Sequence, residues 1–162
     1  MKNISLNEVK TVVTDAVNNN LKNILFVSKT ANHSEISEWF VENPMYEEVR
    51  ILPSEIWDKD QDGILRKCEH TCAIFEGVLD LLNNENSILL LSYFGDESYY
   101  RIDKIFDIIK KREYTNIFPN GHEQKHNLEK LKLVIAVTSP TGVFSLNPNY
   151  YEFFDQVYLL DI

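Results

Sequence analysis

Ile24-Leu25-Phe26-Val27-Ser28-Lys29-Thr30-Ala31-Asn32-His33-Ser34-Glu35-Ile36 joins an apolar strand, an eight-residue loop from Ser28 to Glu35, and the start of an amphipathic helix. Four consecutive apolar residues, Ile24 to Val27, are the pattern of a strand buried on both faces. Strand, loop and helix in this order form the frame in which nucleotide-binding α/β proteins hold a phosphate. The loop has no glycine, and no Lys-Ser/Thr pair closes it. The frame points to a fold, while the chemistry that usually accompanies it is missing.

Outward from this stretch, strands and helices alternate. Ser5-Leu6-Asn7-Glu8 has capping-box spacing, and Leu6, Val9, Val13, Ala16 and Val17 follow at helical intervals. Ser34 to Val41 carries Ile36, Trp39 and Phe40 on one face, and Asn43-Pro44 stops that helix. Glu48 to Leu52 reads as a strand. A long helix is expected from Leu65 to Leu82, with the stripe Leu65, Cys68, Cys72, Phe75, Leu79 and Leu82. Ser87 to Tyr93 is the clearest central strand, and Ile102, Ile105, Phe106 and Ile109 mark the helix after it. Tyr114 to Glu129 is polar and irregular, with a hairpin signal at Pro119-Asn120-Gly121. Leu133 to Val137 and Val157 to Leu160 are further strands, and Tyr150 to Phe154 is compatible with one helical turn. Five strands alternating with helices imply a three-layer α/β/α sandwich around a mainly parallel sheet, with the Ile24 strand at its centre. Ligands of such sheets bind beyond the carboxyl ends of the strands, here Ser28–Glu35, Ser92–Glu97 and Thr138–Gly142.

A chain of 162 residues with 44% hydrophobic and 12% aromatic residues suits a single domain with a sizeable core. The net charge of −9 disfavours nonspecific binding to nucleic acid or anionic membranes, which attract cations. No apolar run has the length of a membrane span, and Met1-Lys2-Asn3-Ile4 leads into a polar, helix-like stretch rather than a signal peptide. A cytoplasmic location is expected. Lys110-Lys111-Arg112, the densest basic spot, reads as the cationic last turn of a helix.

From Ile24 to Ile162 the chain resembles the core of an AAA+ ATPase, a P-loop NTPase, particularly the MoxR-type group. Leu131 to Pro140 is similar to that family's sensor-one strand, Ile88 to Tyr93 to its Walker B strand, and Phe154-Asp155 to its Arg-Phe-Asp segment. The resemblance implies a P-loop NTPase-like topology and assigns a role to each matching position. Ser28 to Glu35 stands in place of Walker A, whose glycines let backbone N–H groups cradle phosphate. Ser28, Ala31 and His33 stand where glycines would, Ser34 replaces the phosphate-binding lysine, and Glu35 replaces the hydroxyl that holds magnesium. Lys29 is a solvated loop residue or a greeting charge for an anion. Ser92 and Tyr93 replace the Walker B acids, and Ser139 the sensor asparagine. Phe153 replaces the arginine that acts on a neighbouring subunit. Asp96-Glu97 is either a displaced acid pair or an ordinary helix cap. The helical lid that follows the last strand in the family is missing. Together these departures argue against ATP hydrolysis, and no ATP cofactor is expected.

Two metal patterns stand apart from the resemblance. Asp58 to Glu69 matches a twelve-residue EF-hand loop: Asp58, Asp60 and Asp62 at positions one, three and five, Gly63 at six, the Ile64 carbonyl at seven and the Glu69 carboxylate at twelve. Pro53 before it and Arg66 at position nine depart from the pattern, and an acidic surface loop capping the next helix is the alternative. Cys68, Cys72, His122 and His126 have zinc-like four-residue spacings, but both cysteines fall on the apolar stripe. The expected function is a non-enzymatic module that binds an unidentified protein partner. A nucleotide-binding fragment with unusual loops and a calcium-responsive module are the alternatives.

Overall fold

The apolar runs become neighbouring strands. The computed structural model describes residues 1–29, 34–51, 79–94, 102–117, 121–142 and 148–161. The elements run β1 (Lys2–Ser5), a 3-10 turn (Leu6–Glu8), α1 (Val9–Asn18), β2 (Asn23–Ser28), α2 (Ser34–Glu42), β3 (Glu47–Ile51), helical residues 79–82, β4 (Ser87–Phe94) and α3 (Ile102–Lys111). The antiparallel hairpin β5 (Glu113–Ile117) and β6 (Glu123–Asn127) follows, then β7 (Leu133–Thr138), a 3-10 segment (Pro148–Phe153) and β8 (Gln156–Asp161).

The central sheet has six strands in the order β1-β8-β2-β7-β4-β3, and every neighbouring pair in it is parallel. Five strands are expected from the sequence; the sixth is β1, which lies at the edge against β8. Its four residues bury Ile4 alone. A strand with one inward residue has no period-two signal to read, so the stretch looks merely polar. The strand beginning at Ile24 does lie inside the sheet, flanked by β8 and β7. The hairpin occurs where the turn signal stands, with Gly121 in the left-handed region at φ 83.

All six residues of β2 and of β7 are buried. Alternation divides their side chains between two cores. Ile24, Phe26, Ile135 and Val137 pack under α1 and α2 with Val13, Ala16, Trp39 and Phe40. Leu25, Val27, Val134 and Ala136 pack on the other face with Leu79, Leu82, Ile105 and Ile109. Helices thus cover both faces, the three-layer arrangement expected of a parallel sheet. Each fully buried aliphatic side chain contributes about 1.5–3 kcal/mol. The indole Nε1 of Trp39 donates to Thr14 Oγ1 at 2.9 Å, so the largest core residue is also satisfied as a donor. Lys10 on α1 reaches Glu38 and Glu42 on α2 at 2.7 and 2.9 Å. Among the described residues no helix is long and apolar enough to cross a membrane.

At the amino edge of the sheet, α3 ends differently from the expected cationic turn. Lys110 and Lys111 occupy its last turn, but Arg112 leaves the helix at φ 56 and is only 8% exposed. Its guanidinium donates to Asn23 Oδ1 at 2.8 Å, Ile108 O at 3.2 Å and Lys22 O at 2.5 Å. Asn23 Nδ2 donates to Ile109 O at 3.0 Å and Phe153 O at 3.1 Å. Asp155 accepts the backbone N–H groups of Lys22 and Asn23 at 2.7 and 3.0 Å. Burial lowers the Arg112 pKa to about 10, opposed by the nearby Asp155 charge. At neutral pH the guanidinium stays charged, and its carbonyl acceptors offset its desolvation.

Asn23→Ala strands the Arg112 donor and two carbonyls, each costing about 1–3 kcal/mol where water does not replace the bond. Urea unfolding is expected to show a loss of about 3 kcal/mol with an unchanged m-value. At the other end of the chain, Glu8 accepts the Ser5 backbone N–H at 2.6 Å, which, with the Ser5 hydroxyl, lowers its pKa below 4.5. A depressed carboxyl stabilises above its unfolded value and loses that contribution as pH falls through the folded value. The melting temperature of Glu8→Ala should therefore lie below wild type at pH 7 and converge with it in acid.

Candidate functional site

The carboxyl edge of the sheet is formed by the ends of β2, β4 and β7. Ser28 closes β2 and Thr138 closes β7, both fully buried. Val27 pairs with Thr138 across the two strands. On the other side of β7, Leu91 pairs with Ala136 and Phe94 with Thr138. β4 thus advances three residues while β7 advances two, a bulge with one extra residue. Ser92 lies within that bulge and is 5% exposed. Beyond Thr138 the chain turns at once, with Gly142 N–H donating to Ser139 O at 3.0 Å. Ser139 Oγ lies 3.5 Å from Thr141 Oγ1.

Four of the positions read from the sequence, Ser28, Ser34, Ser92 and Ser139, are thus ends of neighbouring strands or the helix facing them. Lys29 follows β2 directly and is exposed, and Ser34 opens α2 with Glu35 in its first turn. The N-terminus of a helix carries partial positive charge and unsatisfied N–H groups, the usual seat of a phosphate. Here the chain supplies its own carboxylate to that end. Glu35, Ile36, Phe26, Val137 and Leu160 line a cavity of about 10 Å³ beside it. That space suits one water, whereas small-molecule sites span about 300–1,000 Å³. Hydroxyls with this placement can donate and accept, but they bring no charge to stabilise a transferring phosphoryl group.

Phe153 lies elsewhere. It ends the 3-10 segment before β8, at the amino edge, where its carbonyl accepts from Asn23. Its ring packs 5.9 Å from Phe106 and receives the Lys110 ammonium at 4.1 Å. Phe153 thus stands at the opposite end of the sheet from Ser28. Thr30–His33, the Asp58–Glu69 loop, Cys68, Cys72 and Asp96-Glu97 lie outside the described residues. His122 and His126 belong to the hairpin, with His126 paired to Tyr114 across it. Four residues along a strand span about 13 Å, so these two imidazoles cannot share an ion. Among the described residues no group of three metal-ligating side chains converges.

Sequence reasoning missed the Asn23, Arg112 and Asp155 junction. A polar residue opening an otherwise apolar strand was its one local signal. The inward turn of Arg112 depends on a left-handed backbone, which the basic run Lys110-Lys111-Arg112 does not announce.

No protein-family model matches the sequence, and no curated protein sequence matches it. Among solved structures, the chain is similar to a proline-to-glycine variant of RuvB from Thermotoga maritima, with a TM-score of 0.54 and 8% identity. The match covers 96% of this chain and 44% of that one, so this chain spans less than half of its neighbour's length. RuvB is an AAA+ P-loop ATPase, and the shared feature is the P-loop NTPase-like fold with its mainly parallel sheet.

Removing the carboxylate at the α2 N-terminus by Glu35→Gln should cost about 0.3–1 kcal/mol in chemical denaturation, shrinking in 1 M NaCl as the dipole interaction is screened. An equal loss at both salt concentrations would show that Glu35 acts through packing instead.

Proposed function

We propose that the chain is a non-catalytic AAA+-like domain, altered at its Walker A, Walker B, sensor and arginine-finger positions, that works as a protein-interaction or assembly module. The observation that carries this reading is Glu35 in the first turn of α2. A carboxylate at that place competes with a phosphate for the helix N-terminus and repels a triphosphate. Three further features support it. Ser34 has no ammonium to offer a phosphate, Ser92 no carboxylate to offer magnesium, and the cavity beside Glu35 is water-sized. The order of Ile88–Tyr93, Leu131–Pro140 and Phe154-Asp155 supports a place beside the MoxR-type group. A fold of this kind without charged catalytic positions can still serve through its surface. The partner is a protein.

Isothermal titration with magnesium-ATP is expected to give no saturable heat up to millimolar nucleotide. Micromolar, magnesium-dependent binding would overturn the reading in favour of a nucleotide-binding fragment with unusual loops. A second reading rests on the match of Asp58, Asp60, Asp62, Gly63, Ile64 and Glu69 to a calcium loop. Millimolar calcium raising the melting temperature by several degrees supports it, and an unchanged value removes it.

A further inference from the structure

The amino edge of the sheet carries a groove of about 390 Å³, lined by Lys22, Lys130 and Lys132 with Glu85, Tyr46 and Asn86 among the other residues. The lysines come from two segments whose backbones are fixed. Val134 N–H donates to Lys22 O at 2.9 Å, Lys132 N–H to Ser87 O at 3.0 Å, and Lys130 N–H to Asn83 Oδ1 at 3.2 Å. Their stems therefore rise from a rigid rim formed where β2, β4 and β7 begin. The Lys132 ammonium is 2.9 Å from Asn20 Oδ1, a neutral partner that orients the charge without cancelling it.

Several other described cations are engaged. Lys10 is paired with Glu38 and Glu42, Arg50 with Glu48, and Lys125 with Glu113, while Lys110 lies over Phe153 and Arg112 is buried. In a chain of net charge −9, the lining of this groove has a positive balance, three lysines against the one carboxylate of Glu85, with Glu47, Glu129 and Asp155 bordering it. Such a patch attracts an anionic partner, and the open trough with the half-buried Tyr46 beside it suits an extended chain.

We propose that this groove docks an acidic peptide segment of a partner protein. The proposal rests on the interaction-module reading and names the surface and the chemistry of its partner. Carboxylates of the segment lie against Lys22, Lys130 and Lys132, and its backbone runs past the Tyr46 ring and the Asn86 side-chain amide. The docking edge is opposite Ser28, Ser34 and Ser139, so it does not use the altered nucleotide edge.

Fluorescence polarisation of a labelled hexaglutamate peptide with the full chain tests this in 50 mM salt. Saturable binding is expected, weakened about tenfold at 300 mM salt as screening shortens the range of the charges. The combined Lys22→Glu, Lys130→Glu and Lys132→Glu variant should bind at least tenfold more weakly, whereas Lys2→Glu with Lys125→Glu should bind as wild type. The milder Lys130→Gln with Lys132→Gln, expected to weaken binding severalfold, serves if charge reversal lowers the melting temperature. Absence of saturable binding, or an equal loss in the Lys2 and Lys125 variant, overturns the proposal. Displacement of the peptide by micromolar pyrophosphate also overturns it, in favour of a small-anion site. The magnesium-ATP titration separates the two readings: peptide silence without ATP binding removes the groove alone, and ATP binding removes the non-catalytic reading.

Discussion

The Arg112 guanidinium, held by Asn23 Oδ1, Ile108 O and Lys22 O, is the constraint on which the amino edge of the sheet depends. It joins the end of α3 to the start of β2, and Asn23 extends the link to the segment before β8 through Phe153 O. Asp155 completes the junction by accepting two N–H groups from the same turn. Apolar burial alone would let β2 slide by two residues and still bury the same face. A charged donor with fixed acceptors penalises such a shift, because every bond would break in a dry setting. The left-handed backbone at Arg112 costs of the order of 1 kcal/mol or more and persists because these bonds over-determine it.

The opposite edge has a different chemistry. Its strand ends carry hydroxyls, and the helix facing them carries Glu35. The dipole of α2 would favour any anion at that end, whether bound or covalent. A carboxylate in the chain is always present at the helix, whereas a nucleotide must bind from solution. On the proposed reading, the hydroxyls and Glu35 at this edge act as one chemistry, unfavourable to a bound phosphate. The groove proposed for recognition lies at the other end, where Lys22 belongs to the Arg112 junction through its carbonyl.

Much of the architecture was legible because it rests on burial. Ile24 to Val27 and Leu133 to Val137 are continuous apolar runs, and both became strands buried along their whole length. The helical stripe Val9, Val13, Ala16 and Val17 became the buried face of α1. Edge strand β1 was not legible, since a single inward Ile4 makes no pattern. The hairpin was readable at its glycine and not in its polar strands, where β6 buries none of its residues fully. At the candidate site, the identities of Ser28, Ser34, Glu35 and Ser92 were already informative. Burial of Ser28 and Ser92, and the bulge around Ser92, were not.

The sequence by itself determined the alternation of strands and helices, a loop after Val27 with neither glycine nor a Lys-Ser/Thr pair, and the acidic balance of the chain. These follow from composition and period, which are local. Only the tertiary structure decided that β1 pairs with β8, that Arg112 turns inward to Asn23, and that Lys22, Lys130 and Lys132 line one groove. Each of those joins residues far apart in the chain, and the energy that selects them comes from desolvation and hydrogen-bond geometry created by folding itself.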